Sequence, residues 1–72
     1  MHIRFTNHAQ AGMDERGISA SRVAEAIRHP DSQTPARDGA IACTKRFGAK
    51  TLNVIFRQHG KAEYVIITAY YL

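Results

Sequence analysis

The sequence has 72 residues, of which 44% are hydrophobic and 22% are charged. This length allows one domain near the lower limit for folding without disulfide or metal staples, and the composition excludes a disordered chain. The formal charge of +4 and the isoelectric point near 9.7 favour an anionic partner, such as nucleic acid, an acidic protein or an acidic lipid surface.

The N-terminal residues predict a short strand followed by a helix. Residues 2–5 alternate polar and apolar side chains, as in a half-buried strand. Thr6 or Asn7 is suited to cap the helix that follows, since either side chain accepts a hydrogen bond from an N–H group of the first turn. We expect this helix to end near Arg16, because Gly17 accepts the left-handed conformation that is common after helix ends.

A second helix is predicted from about residue 20 to residue 28. Ser19 is suited to cap it, and Pro30 disfavours its continuation. The expected buried stripe follows the helical spacing of apolar residues and comprises Ala20, Val23, Ala24 and Ile27. Residues 30–39 predict a loop, because two prolines interrupt regular structure and an Asp-Gly pair signals a turn at its end.

The remaining residues predict three strands, at 40–47, at 51–58 and from 62 to about 71. The turns between them are short, which predicts an antiparallel meander. The last strand is the most apolar, as expected of a central strand buried on both faces. The predicted fold is therefore α+β: one domain, residues 1–72, with a short N-terminal strand and two helices packed on a three- to four-stranded antiparallel sheet.

Cysteine usage and hydropathy predict a cytoplasmic protein that does not enter a membrane. A single cysteine, Cys43, suits a reducing compartment and is expected to be a small buried hydrophobe. The longest apolar run, residues 64–72, is far shorter than the ~20 residues that span a bilayer, and residues 1–4 do not resemble the start of a signal peptide. The four histidines lack paired ligand spacing, so no metal or other cofactor is expected.

The predicted first helix carries a candidate catalytic pair. His8, Gly12 and Arg16 fall four residues apart and share one face. Ala9 and Met13 form an apolar pair on the neighbouring stripe, which we expect to be buried. An imidazole titrates near neutral pH, so His8 is the candidate acid or base, and the planar fork of Arg16 is suited to hold a phosphate. The alternatives are a histidine bonded to nearby backbone and a solvated arginine that complements the helix dipole.

Further cations lie on and beside the predicted strands. Lys45 and Arg46 are adjacent, so they project from opposite faces of one strand. Arg46 has small and polar neighbours on its face and is the candidate catalytic cation, whereas Lys45 shares its face with apolar side chains and is a candidate binding residue. Arg57 and Lys61, near the turns, are candidate binding residues that enlarge the basic surface. Solvated charges are the alternative for all four residues.

The last strand offers an aromatic candidate. A tyrosine hydroxyl bonds phosphate or donates a proton, and its ring stacks on a nucleobase, so Tyr70 is a candidate catalytic residue. Thr68 is a candidate binding residue on the same face, which we expect to include Tyr64 and Ile66 as well. Packing of a partly buried ring is the alternative for Tyr70.

Several motifs, in their order along the chain, resemble the DUF4258 family. They cover nearly the whole chain: His8, Met13, Glu15-Arg16-Gly17-Ile18-Ser19, Val23, Ala26-Ile27, His29-Pro30-Asp31 and Val65-Ile66-Ile67-Thr68-Ala69-Tyr70. The Glu-Arg-Gly-Ile-Ser segment and the closing Ile-Thr-Ala-Tyr are the most specific. Members commonly carry arginine directly before the methionine of the first helix, where this chain has Gly12. A cation that would neutralise phosphate is absent at that position.

The DUF4258 family is similar to the small ribonuclease fold shared by RelE-type toxins, barnase-like nucleases and colicin nucleases. The resemblance implies two N-terminal helices packed on an antiparallel sheet and RNA cleavage that needs no metal. It also implies that the domain works in a toxin–antitoxin pair. Because function depends on the site and not on the fold, these expectations have to be supported by the individual residues of the site.

Three functions are consistent with the residues. The first is a metal-independent, toxin-like endoribonuclease that cleaves RNA through attack of the 2′-OH group, with the catalytic residues His8, Arg16, Arg46 and Tyr70. The second is a non-catalytic module that binds RNA or the ribosome with the same basic face. The third is a module that docks an acidic protein such as an antitoxin. An exposed sheet edge leaves a dimer open.

Overall fold

In the computed structural model, which describes all 72 residues, two α-helices pack on one face of a five-stranded sheet. The elements, in chain order, are β1 (His2–Phe5), α1 (Asn7–Arg16), α2 (Ala20–Arg28), β2 (Ser32–Pro35), a 3₁₀ turn (Arg37–Gly39), β3 (Ile41–Phe47), β4 (Lys50–His59) and β5 (Glu63–Tyr71). The predicted α+β class and both predicted helices are confirmed.

Side-chain caps set the start of both helices. The Thr6 hydroxyl accepts a hydrogen bond of 3.1 Å from the N–H group of Ala9. The Ser19 hydroxyl accepts one of 3.1 Å from the N–H group of Arg22. Each bond satisfies a donor that has no partner inside its helix. Gly17 follows the end of α1 with φ at 67°, a left-handed conformation that glycine adopts without a steric penalty.

The strands are ordered β1-β5-β4-β3-β2, and the sheet is mixed. The predicted antiparallel meander of β3, β4 and β5 is confirmed. The predicted N-terminal strand β1 pairs with β5. The sheet has five strands, one more than the upper predicted number, because β2 also pairs with β3. The β1–β5 pairing is parallel, so the expectation of a fully antiparallel sheet is wrong at this edge. A parallel pair needs a long connection, which the chain from α1 to β4 provides.

β2 lies in the segment that the sequence predicts as a loop, and the loop prediction is wrong from Ser32 to Pro35. The register of β2 pairs Ser32 with Thr44 and Pro35 with Ile41. β2 is an edge strand, and the end of an edge strand tolerates a residue that has no N–H group. Proline therefore marks the end of this strand instead of excluding it.

The helices bury their apolar sides against one face of the sheet. α1 packs on β5 with Ala9 and Met13 buried as predicted, and α2 packs on β3 and β4. The buried core gathers side chains from both helices, the segment that joins them and three strands: Ala9, Met13, Ile18, Val23, Ala26, Cys43, Leu52, Val54, Phe56, Ile66 and Ala69. The opposite face of the sheet carries no helix.

The buried stripe of α2 differs from the predicted one. Val23 and Ala26 are fully buried, whereas Ala20 is exposed. The cause is the close approach of α2 to β3, where the Cys43 thiol donates to the Ala26 carbonyl over 3.6 Å. Position 26 therefore carries a small side chain in the core, and the helix is rotated relative to the expected stripe.

A β-bulge in β5 decides which side chains face the helices. Ile55 pairs with Thr68, but the next residue of β4, Phe56, pairs with Ile66. Ile67 is therefore the extra residue, and a bulge of this kind shifts the alternation of side chains along its strand. Thr68 consequently lies on the face opposite to that of Ile66.

The bulge overturns two expectations about β5. Thr68 and Tyr70 do not share a face with Tyr64 and Ile66, because one extra residue lies between the two pairs. The strand is also not buried on both faces: Ile66 on the helix side is fully buried, whereas Thr68 and Tyr70 are only half-buried. Two polar candidates thus project together from the uncovered face.

Burial raises the pKa of the Cys43 thiol to about 11. At pH 8 the thiolate fraction in the folded protein is therefore on the order of one in a thousand. We expect iodoacetamide to leave Cys43 unmodified in the native protein and to alkylate it after unfolding in urea, as followed by mass spectrometry. Because the folded state holds the thiol proton more tightly, stability should fall as the pH rises from about 9 to 11.

The matched control for this pH effect is Cys43→Ala, which removes the titrating group from the same core position. Its stability should lack the part of the alkaline decrease that Cys43 contributes. Rapid alkylation of the native protein at pH 8 would contradict the buried placement of this thiol.

Candidate nucleic-acid interface

A row of four polar side chains crosses the uncovered face of the sheet. Ser32 of β2 pairs with Thr44 of β3, Thr44 pairs with Asn53 of β4, and Asn53 pairs with Tyr70 of β5. Directly paired residues place their side chains on the same face of a sheet. The hydroxyl oxygens of Ser32 and Thr44 are 2.5 Å apart and share a hydrogen bond. We call Ser32, Thr44, Asn53 and Tyr70 the polar row.

Asn53 is the one polar residue among the buried residues, and it is 8% exposed. It lies at the centre of the polar row, between Thr44 and Tyr70. The Asn53 amide makes no hydrogen bond to the chain. Every fully buried polar side-chain atom of the chain has a hydrogen-bond partner, so the polar atoms of Asn53 are not fully buried and reach solvent. The amide is therefore available as both donor and acceptor. From the sequence, Asn53 is equally consistent with bonding a base edge and with facing water, because its place in the row depends on the register between strands.

Arg46 lies on the same uncovered face, next to the polar row. It is exposed, and its Nε donates to the Gly48 carbonyl over 2.8 Å. Its backbone N–H group donates to the Asp31 carboxylate over 2.7 Å. The terminal nitrogens of the guanidinium make no hydrogen bond to the chain and are available to an anion. The prediction that Arg46 and Lys45 project from opposite faces is confirmed, since Lys45 lies on the helix side and donates to the His29 carbonyl over 2.9 Å.

Arg57 and Lys61 have different surroundings. Arg57 is on the uncovered face, where its guanidinium donates to the Asp38 carbonyl and holds the 3₁₀ turn. Asp38 is in the left-handed region, with φ at 56°, which is uncommon for a residue other than glycine. Lys61 is exposed in the turn between β4 and β5, at the end of the sheet away from Arg46.

The Arg16 side chain of α1 lies over a glycine of the same helix. The guanidinium of Arg16 folds back over Gly12 and occupies the space that a Cβ atom would need. Its Nη1 also donates to the Ala69 carbonyl over 3.4 Å. Gly12 lies four residues from His8, which corresponds to about 6 Å along the helix axis. His8 is exposed and makes no hydrogen bond to the chain, so its imidazole is accessible on the same face as this cation.

A family model described as a domain of unknown function, DUF4258, matches residues 5–71. The chain belongs to the DUF4258 family. The match runs from the end of β1 to the end of β5 and confirms the resemblance identified from the sequence motifs. No curated protein and no solved structure gives a significant match. The likeness of DUF4258 proteins to the small ribonuclease fold therefore stays a prediction.

The predicted catalytic residues of this DUF4258 domain fall into two groups. His8 and Arg16 lie on α1, which packs on the covered face. Arg46 and Tyr70 project from the uncovered face, two strands apart, together with Thr68. The groups meet only at the end of β5, where Arg16 bonds the backbone of Ala69, directly before Tyr70.

Two further findings concern metal binding and the length of the helices relative to a membrane. No three histidine, cysteine, aspartate or glutamate side chains of the DUF4258 domain lie close enough together to share a metal ion. Neither helix has the length and apolar character required to cross a bilayer.

Proposed function

We propose that this DUF4258 protein binds single-stranded RNA on the uncovered face of its sheet. The observation that carries the proposal is the polar row, in which the half-buried ring of Tyr70 adjoins the unengaged amide of Asn53. Single-stranded bases stack on aromatic rings and expose edges that an amide recognises. A duplex keeps its bases stacked on one another, so the flat face of the sheet suits a single strand.

The charge distribution supports an anionic partner. The net charge is +4, and the one contact within 4 Å between a carboxylate and a basic side chain joins Glu63 and His2 over 3.9 Å. Arg46 lies beside the polar row without a carboxylate on its guanidinium. A phosphate backbone neutralises such cations and releases counterions, so binding should weaken steeply with salt. The single cysteine suits a cytoplasmic location, where RNA, alone or on the ribosome, is an abundant polyanion.

Replacing Tyr70 with alanine tests the proposal. We expect the affinity for a single-stranded RNA oligonucleotide to fall by about 5- to 150-fold, because stacking of one base on an aromatic ring contributes about 1–3 kcal/mol. Fluorescence anisotropy at fixed low salt measures the change, and circular dichroism checks that the variant is folded.

Tyr70→Phe is the matched control, since it keeps the ring and removes only the hydroxyl. It should bind within a few-fold of the parent protein. An unchanged affinity in the alanine variant, or equal losses in both variants, would contradict stacking on Tyr70. Lys61→Gln removes one positive charge at the other end of the sheet. It measures how much the RNA affinity changes when a charge far from the polar row is lost.

Cleavage of the bound RNA is a second candidate function. The observation that favours it is the placement of the Arg16 guanidinium over Gly12, one helical turn from the exposed His8. In a metal-independent, toxin-like endoribonuclease, His8 would take the proton of the 2′-OH group, and Arg16 would stabilise charge on the attacked phosphate. Arg46 and Tyr70 would hold the same strand from the uncovered face.

An acidic protein partner, such as an antitoxin, would use the same cations as RNA. It would therefore compete with RNA for Arg46. Competition between a candidate acidic protein and the oligonucleotide, measured in the same anisotropy assay, distinguishes an inhibitor of RNA binding from an unrelated partner.

A further inference from the structure

Two cations surround Tyr71 on the covered side of the sheet. The Arg22 guanidinium donates to the Tyr71 hydroxyl over 2.6 Å and lies 4.9 Å from the centre of the Phe47 ring. The Lys50 Nζ lies 5.0 Å from the centre of the Tyr71 ring. Phe47 and Lys50 are directly paired between β3 and β4. We call Arg22, Phe47, Lys50 and Tyr71 the Tyr71 cluster.

The cations of the Tyr71 cluster have no carboxylate partner. The one contact of the chain between a carboxylate and a basic side chain, Glu63 with His2, involves neither of them. A third cation, Arg16, bonds the carbonyl of Ala69, two residues before Tyr71 in β5. Positive charges that approach one another repel unless an anion lies among them. The aromatic contacts nevertheless hold Arg22 and Lys50 in place.

Arg22 and Lys50 keep most of their hydrogen-bond donors. A guanidinium has five N–H donors, of which the contact with the Tyr71 hydroxyl uses one, and an ammonium has three. Both side chains belong to exposed residues. Positively charged donors that are held in position and reach solvent are suited to a phosphate group.

We propose that the Tyr71 cluster binds a phosphate group. The inference deepens the proposed function and rests on it where the phosphate belongs to RNA; free phosphate is the other source of the same chemistry. Tyr70 and Tyr71 are adjacent and project from opposite faces of β5. A strand whose base stacks on Tyr70 and that passes over the end of the sheet would bring a neighbouring phosphate to the side of Arg22 and Lys50.

The test uses two ligands, inorganic phosphate and a single-stranded RNA oligonucleotide. Amide chemical shifts measure phosphate binding at constant ionic strength, with chloride as the reference anion, and fluorescence anisotropy measures RNA binding. We expect phosphate to shift the amide signals of residues 22, 47, 50 and 71. Arg22→Gln and Lys50→Gln should each weaken phosphate binding by about tenfold, since each removes a charged hydrogen-bond donor. Arg37→Gln makes the same charge change in the 3₁₀ turn, at the end of β3 away from Phe47, and should leave phosphate binding unchanged.

The two ligands separate this inference from the proposed function. Weakened binding of both phosphate and RNA in the Arg22→Gln and Lys50→Gln variants supports a phosphate site for RNA. Phosphate binding without RNA binding supports a site for free phosphate and overturns the proposed function. RNA binding that depends on Tyr70 but not on Arg22 or Lys50 overturns the site and leaves the proposed function intact. Absence of binding to either ligand overturns both.

Discussion

Replacing Leu52 with alanine should lower the free energy of unfolding by about 2–5 kcal/mol. Leu52 is fully buried in β4, the central strand, where the helices cover the sheet. The substitution removes buried methyl groups and leaves a cavity that the surrounding side chains fill only in part. A domain of this length has a total stability of roughly 4–11 kcal/mol, so this one change removes a large share of it. Urea unfolding followed by circular dichroism measures the loss.

Ile55→Ala is the matched control in the same strand. Ile55 is half-buried on the uncovered face, where alanine leaves a shallow depression open to water instead of a cavity. Its cost should be clearly smaller than that of Leu52→Ala. Equal losses at both positions would mean that the uncovered face is buried in solution, for example against a second copy of the chain.

If the protein cleaves RNA, replacing His8 with alanine should reduce the rate by about 100- to 10,000-fold, the usual contribution of a positioned acid or base. The substitution removes the exposed imidazole of His8 and leaves the buried face of α1, Ala9 and Met13, unchanged. The measurement is single-turnover cleavage of a labelled oligonucleotide in EDTA, with the ends analysed for 2′,3′-cyclic phosphate. RNA affinity should remain within a few-fold of the parent value.

Gly12→Ala is the matched control for the pairing of His8 with Arg16. A Cβ atom at position 12 displaces the Arg16 guanidinium while His8 stays in place. The gain in helix propensity, up to about 1 kcal/mol, is similar to the loss of one hydrogen bond, so the fold should be retained. Cleavage should fall in this variant as well. A rate unaffected by His8→Ala would remove the cleavage proposal and leave RNA binding.

Local signals were sufficient to predict the helices from the sequence. As helix caps, Thr6, Ser19 and Gly17 act through hydrogen bonds and backbone conformations of neighbouring residues. The Thr6 hydroxyl makes one long-range bond as well, to the Ile66 carbonyl. The same holds for the three strands of the meander, whose turns lie between clear apolar runs. In each case the residues that decide the structure are close together in the chain.

Long-range pairing was not predictable in the same way. The sequence of β5 reads as one apolar run and shows no sign of the bulge at Ile67. The bulge nevertheless places Thr68 and Tyr70 on the uncovered face. Asn53 becomes the centre of the polar row only through its pairing with Thr44 and Tyr70. The formation of β2 depends more on pairing with the free edge of β3 than on the residues of β2 themselves. Register is a property of two strands together, so one strand's pattern does not fix it.

The candidate site shows the same division between local and long-range information. The shared face of His8, Gly12 and Arg16 follows from helical spacing. The sequence did not indicate that Arg16 itself fills the space over Gly12, because this depends on a carbonyl of β5. The sequence also did not indicate that two cations, Arg22 and Lys50, lie against Tyr71.

The parallel pairing of β1 with β5 has a consequence for folding during synthesis. His2 pairs with Glu63 and Phe5 with Ile66, so a strand made early pairs with a strand made late. The meander of β3, β4 and β5 closes through short turns, whereas β1 must close nearly the whole chain into a loop, which is entropically slow. Ile3 and Phe5, which pack against the core, therefore stay exposed to water on the ribosome until β5 has emerged.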